Sequence, residues 1–170
     1  VKEGLSSSAR RVQETLRALG FSHHVVELAE STRTAAEAAR AVGCEVAQIA
    51  KSLVFKGTVT GRGILVIADG ASRVDERALG SVVGEAIERA DPDFVRERTG
   101  FAIGGVPPVG HREPLEVLVD RGLLRHSTIW AAAGTPRAVF RLTPQELLDM
   151  TAARLVDVRR SRVVPPSGEA

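Results

Sequence analysis

The chain has 170 residues, 44% of them apolar and 26% charged, with a formal net charge of +2. That is enough chain to bury one real core, and too little net charge to announce a nucleic-acid partner by charge alone. The longest aliphatic run, at 64–68, is far too short to span a bilayer, the N-terminal VKEGLSSSARRVQETL lacks the apolar stretch of a secretory signal, and the single cysteine, Cys44, excludes an internal disulfide framework and suits a reducing cytoplasm.

In chain order, residues 8–20 read as a first helix, with a serine cap upstream, Val12, Leu16 and Leu19 on one face and Gly20 as its stop. His24–Leu28 reads as a strand. Ser31 or Thr32 is placed to cap a second, alanine-rich helix that ends at Gly43. Ile49–Phe55 and Gly63–Ala68 read as strands joined through the glycine-bearing KGTVTGRG. Val74–Val83 and Asp91–Thr99 read as short helices, the second with Asp91 as cap and Pro92 at its first position. An irregular GFAIGGVPPVGHREP follows. Glu116–Asp120, Ser127–Ala131 and Ala138–Leu142 read as strands, and Thr143-Pro-Gln-Glu146 opens a last helix as a capping box. Helices and strands without regular βαβ spacing predict an α+β domain with a mixed sheet over residues 1–158. RRSRVVPPSGEA, residues 159–170, reads as a loose basic tail.

One lysine stands out. In IAKSLVFKG, strand alternation puts Lys51 on one side with Ile49, Leu53 and Phe55, where an unpaired ammonium is costly to desolvate. Only three of the 23 basic residues are lysines. A compact ammonium does things a guanidinium fork cannot, so a lysine there invites a chemical reason. Either it holds an anion or a developing oxyanion in a low-dielectric pocket, or it pairs with a buried carboxylate such as Asp120 or Asp69.

The other strong local signal is GFAIGGVPPVGH at 100–111. Gly100, Gly104, Gly105 and Gly110 remove side chains while Pro107 and Pro108 stiffen the path. Such a main chain either presents N–H groups to a ligand oxygen or forms a rigid turn between elements. The segment is neither a Walker A loop nor a dinucleotide fingerprint. Asp120, at a strand end before Arg121-Gly122, suits a turn or a cap. His23 and His24 point to opposite faces of a strand and cannot chelate one metal together; His111 follows the glycine loop and can touch a ligand there; His126 precedes a strand. No metal-ligand spacing and no G-x-S-x-G elbow occur. Cys44 reads as inert and Trp130 as core.

Taken together, IAKSLVF, ADGASRVDE at 68–76, and GFAIGGVPPVGH followed by a strand ending at Asp120 resemble the YbaK/EbsC family, which includes the editing domain inserted in bacterial prolyl-tRNA synthetases. The resemblance runs over about residues 5–158. It implies a single α+β domain with a mixed, strongly curved sheet, a partial barrel flanked by helices. It implies a trans-editing aminoacyl-tRNA deacylase that hydrolyses the ester of a mischarged tRNA, with no cofactor, no metal and a substrate-assisted mechanism. On that resemblance Lys51 contacts the terminal adenosine's phosphate or the reacting ester, Ser52 fills the adjoining hydroxyl position, and Gly104 and Gly105 turn their backbone to the aminoacyl carbonyl. Gly100, Ile103, Val106, Pro108, His111, Asp120 and Gly134 complete the expected substrate-binding set. The implied partners are the 3′ acceptor end of an aminoacyl-tRNA, and a synthetase or elongation factor that holds it, away from any membrane.

Two positions depart from the branch that deacylates cysteinyl-tRNA: it carries a serine near Ala132 and an aspartate near Val139. The surroundings of Phe21, Ala102, Ile103, Val106 and Ala132 are apolar and suit a small neutral amino acid such as alanine, on a tRNA such as that for proline. Arg73, Arg112 or Arg137 are placed at the rim for the acceptor stem. The competing readings are a non-catalytic tRNA- or synthetase-binding accessory with a degenerate pocket, an esterase acting on a free small molecule, and a purely structural ion pair at Lys51.

Overall fold

In the computed structural model, which describes residues 4–160, five α-helices surround one open, mixed sheet of eight strands. Strands β1 (Val26–Glu27), β2 (Ile49–Gly57), β3 (Gly63–Asp69), β4 (Ile87–Arg89), β5 (Glu116–Asp120), β6 (Ile129–Ala132), β7 (Ala138–Leu142) and β8 (Arg154–Val156) pair in the order β1-β7-β6-β2-β3-β5-β8, with β4 also against β2. The path does not return on itself. β2 pairs antiparallel with β3 and parallel with β6, so the sheet is mixed as the interspersed elements predict.

β3 lies between β2 and β5 with all seven residues buried, six of them glycine or apolar and the seventh Asp69 at its end. Its alternate side chains feed two cores. Leu65 and Ile67 join Val12, Leu16, Phe101, Phe140 and Leu147 on one face; Ile64 and Val66 join Phe55, Leu79 and Leu118 on the other. Each such fully buried aliphatic contributes about 1.5–3 kcal/mol. Helices α1 (Ser7–Ala18), α4 (Pro92–Thr99) and α5 (Pro144–Thr151) cover the first face, and α3 (Glu76–Val83) covers the second.

The helix signals hold for α4, where the Asp91 side chain accepts from Phe94 N–H, and for α5, where Thr143 and Glu146 form a reciprocal box. Helix α2 (Ala35–Val42) starts later than expected. Its cap is Thr34, boxed with Glu37; Ser31 instead donates its hydroxyl to Glu37, and Thr32 gives its N–H to Pro136 C=O. β4 and β8 carry too few residues for a two-residue period to show. Arg159 and Arg160, assigned above to the tail, belong to the fold: Arg159 bridges Val74, and Arg160 N–H bonds Arg73 C=O. The remaining tail, 161–170, lies outside the described residues.

The β2–β3 turn is tied by one carboxylate. Glu85 accepts from Thr60 N–H, Thr60 Oγ1, Val59 N–H and Arg62 Nε, and the Thr60 bonds lead in pulling its pKa from 4.5 to about 2. The folded protein therefore takes up that proton less readily than the unfolded chain. The stabilisation is complete above the ordinary value and is lost as pH falls toward about 2. Glu85→Gln is expected to flatten the loss of urea resistance on acidification through that window; an unchanged pH slope would contradict it.

Candidate active site

β2 carries different neighbours along one edge. β6 leaves it after Ala50↔Ala131, and β4 joins only at Phe55↔Arg89. Between them, Val54 C=O accepts from Ala90 N–H. Main-chain groups alternate edges along a strand, so Ser52 aims its N–H and C=O at the same side, into the opening. A cavity of about 320 Å³ occupies that opening. Lys51, Ser52 and Leu53 line one wall, Trp130–Ala132 and Val139 a second, Arg89 a third, and Thr32–Ala35 with Ile103, Gly104 and Val106 close over them.

Lys51 is half-buried and its Nζ donates to Ser72 C=O. Burial is the main influence lowering its pKa; Asp69 works against that, while Arg89 and Arg73 add to it. The alternative, an ion pair to Asp69 or Asp120, is not formed among the described residues. Asp69 spends its carboxylate on Ala71 N–H and Ser72 Oγ, and among the described residues no carboxylate pairs with Lys51. Three cations thus share one carboxylate already engaged in shaping a turn, an arrangement that favours an incoming anion. Two hydroxyls along the cavity, Ser52 Oγ and Thr32 Oγ1, are buried without a hydrogen-bond partner. Buried polar groups in that state are uncommon and await a ligand or a water.

The glycine pair divides. Gly104 faces the cavity with φ +90°, where an added Cβ would stand 2.7 Å from Arg33 Cγ. Gly105 lies behind it. Its N–H is taken by Ala102 C=O, its C=O by Gly134 N–H, and a Cβ there would stand 2.8 Å from the Thr135 backbone. The Gly105 main chain, expected to face the aminoacyl carbonyl, is hydrogen-bonded to Ala102 and Gly134 and packed against Thr135. Gly134 is likewise a contact residue, pressed against Ser8 C=O and Val12.

Of the remaining expected set, Ile103 and Val106 line the cavity, and Gly100, Pro108, His111 and Asp120 do not. Gly100 ends α4 and gives its C=O to Arg11. His111 lies with Nε2 at 2.7 Å from Pro107 C=O, and burial lowers its pKa. Asp120 is wholly buried, accepting from Val158 N–H, Gly122 N–H and Arg159 Nε. Pro108 is buried. Phe21 and Ala102 are also outside, as are Arg112 and Arg137. Ala132 and Val139 pair with each other and both line the cavity, so the two positions expected to depart from the cysteinyl branch lie at the site itself.

Sequence reasoning missed Thr32–Ala35, Arg89 and the exposed part of Trp130. Thr32 reads in sequence only as a possible cap, and Arg89 sits on a three-residue strand with no pattern of its own.

The architecture is an open mixed sheet in which β2 loses its edge neighbour beside a cation-lined, partly apolar cavity. A model of the aminoacyl-tRNA editing domain matches residues 29–150, and the chain belongs to that family. YwhH of Bacillus subtilis is 34% identical over 135 residues, covering 79% of this chain and 85% of YwhH. The Enterococcus faecalis protein named "Putative Cys-tRNA(Pro)/Cys-tRNA(Cys) deacylase EbsC" is 25% identical over 130 residues, covering 76% of this chain and 79% of its own. A crystal structure described as "a putative trans-editing enzyme for prolyl tRNA synthetase" is 53% identical with a TM-score of 0.88, covering 93% of this chain and 100% of that one.

Proposed function

We propose that the protein is a trans-acting aminoacyl-tRNA deacylase that hydrolyses the ester between a small amino acid and the terminal ribose of a mischarged tRNA. The observation that carries this reading is that Lys51 and the side-chain-free Gly104 line one cavity in a cation-rich opening of the sheet. Lys51 is assigned to the phosphate or the reacting ester of the terminal adenosine, and Ser52, through its hydroxyl and main chain, to the acyl end. Ile103 and Val106, with Ala132 and Val139, bound the amino-acid side chain. Water attacks the acyl carbon, the bond from carbon to ribose oxygen breaks, and that oxygen leaves with a proton. The neighbouring ribose hydroxyl orients the water, so orientation and charge stabilisation suffice without a protein base. The apolar Ala132 and Val139 favour alanine over cysteine as the amino acid, and the resemblance to a prolyl-tRNA synthetase partner favours tRNA for proline.

The test is release of free amino acid from a panel of tRNAs mischarged with alanine, cysteine, serine or threonine. Turnover of alanyl-tRNA above the others is the expected result. Saturable, salt-sensitive binding with no hydrolysis of any charged tRNA would leave an accessory protein instead, and equal activity on small free esters would leave a general esterase. Thr32→Val is expected to hold or raise stability, since it removes an orphaned buried hydroxyl, and to lower deacylation about tenfold through one lost ligand bond. A thermal melt and an initial rate check both halves.

A further inference from the structure

The 320 Å³ cavity does not end at Lys51. Lys51, Leu53 and Arg89 also line a second hollow of about 980 Å³ that runs over Ser72 and Arg73 to Arg77 and Arg160. Ala71, Ser72, Arg73 and Arg160 in turn line a third, of about 740 Å³, which reaches Arg125 and His126. The three form one trench.

Its charge is lopsided. Among the described residues, none of Arg73, Arg77, Arg89, Arg125 and Arg160 makes an ion pair. Most carboxylates along the trench are already engaged: Asp69 by Ala71 and Ser72, Asp75 by the first N–H groups of α3, Asp157 by Arg121. Among the described residues, Glu76 is the one carboxylate of the trench that stands against the cations without a hydrogen bond or ion pair. Arg73 and Arg160 are held in register by the bond from Arg160 N–H to Arg73 C=O, beside the Val74↔Arg159 bridge. No aromatic side chain other than His126 lines the second and third hollows. A single strand gripped by base stacking needs aromatic platforms, and a strand gripped by its phosphates needs cations alone.

We infer that the trench from Lys51 through Arg73 to Arg160 is a phosphate track for the unpaired 3′ strand of an RNA, contacting the backbone of the nucleotides before the terminal one without reading their bases. This rests on the proposed deacylase function for its direction and extends it by naming the surface. The rim arginines expected from sequence split accordingly: Arg73 lies in the trench, and Arg112 and Arg137 lie elsewhere.

The test uses the full chain and a labelled RNA hairpin with a four-nucleotide 3′ overhang, uncharged, followed by fluorescence anisotropy over a salt series. Arg73→Ala with Arg160→Ala is expected to weaken binding about tenfold or more and to flatten the salt slope by about 1.4, the value for two lost single-strand phosphate contacts. Methylphosphonates at the two linkages before the terminal nucleotide reproduce that loss, and base changes at those nucleotides alter affinity less than about twofold. Arg73→Lys with Arg160→Lys keeps the charge and recovers most of the binding, which separates loss of contact from loss of fold. Unchanged binding by the alanine variant, base changes as costly as the methylphosphonates, or no binding by the parent protein at low salt would each overturn the track. Arginine-dependent hairpin binding by a protein that hydrolyses no charged tRNA would sustain the track and remove the deacylase reading. Hydrolysis with an unaltered alanine variant would do the reverse.

Discussion

Lys51→Met is expected to cut deacylation by about a hundredfold or more, the usual cost of removing one charge-stabilising donor from a hydrolytic site. The fold should survive it. Methionine keeps the length and the apolar stem while removing an ammonium that makes one hydrogen bond, to Ser72 C=O. Among the described residues that ammonium touches no carboxylate, with Asp69 attracting it and Arg89 and Arg73 repelling it. Because burial lowers the Lys51 pKa, the folded protein holds that proton less tightly than the unfolded chain does, so charging the amine works against folding. The melting temperature of the variant is therefore expected to stay level or rise. A structural role predicts the opposite pair, retained turnover with a lower melting temperature, and that result would return Lys51 to the scaffold.

Asp120→Ala is expected to give the converse. The carboxylate joins the end of β5 to the chain after β8 by accepting from Gly122 N–H at 2.9 Å, Val158 N–H at 2.8 Å and Arg159 Nε at 3.1 Å, all around a fully buried side chain. Removing it orphans two main-chain donors and uncouples a guanidinium, at a cost of about 3–5 kcal/mol. The melting temperature should fall by about 10 °C or more. Deacylation per folded molecule, measured well below the transition, should remain close to that of the parent. Loss of turnover in a protein still folded at the assay temperature would put Asp120 back among the ligand-binding residues.

These two residues show where sequence was informative and where it was not. Lys51 could be found because its placement breaks a local rule: an ammonium in an apolar strand demands a cause that neighbouring residues do not supply. Asp120 obeyed its local rule, as a turn-forming aspartate before Arg-Gly, and it does accept from Gly122 N–H. Its partners at Val158 and Arg159 come from a strand crossing that no local pattern encodes. Helices with explicit caps, such as those at Asp91 and Thr143, were legible for the same local reason. β4 and β8, three residues each, were not.

The glycine loop was half legible. Its composition says that the main chain comes close to something, and that holds for both glycines of the pair. Only the three-dimensional arrangement shows that Gly104 approaches Arg33 at the cavity while Gly105 approaches Thr135 behind it. The gap in the edge of β2 was wholly hidden, since it arises because β6 and β4 take separate parts of one strand. The trench is hidden in the same way, with its cations drawn from β2, the turn after β3, α3, β4, the turn after β5 and the chain after β8.

The most direct measurement is a crystal structure of the protein with a non-hydrolysable end of the substrate, a terminal adenosine bearing alanine through an amide at the 3′ position. The expected result is the acyl group inside the strand gap between Ser52 and Gly104, with the Lys51 amine against the phosphate or the acyl oxygen. An adenosine bound elsewhere on the molecule, in a protein that still hydrolyses the corresponding ester, would contradict the account.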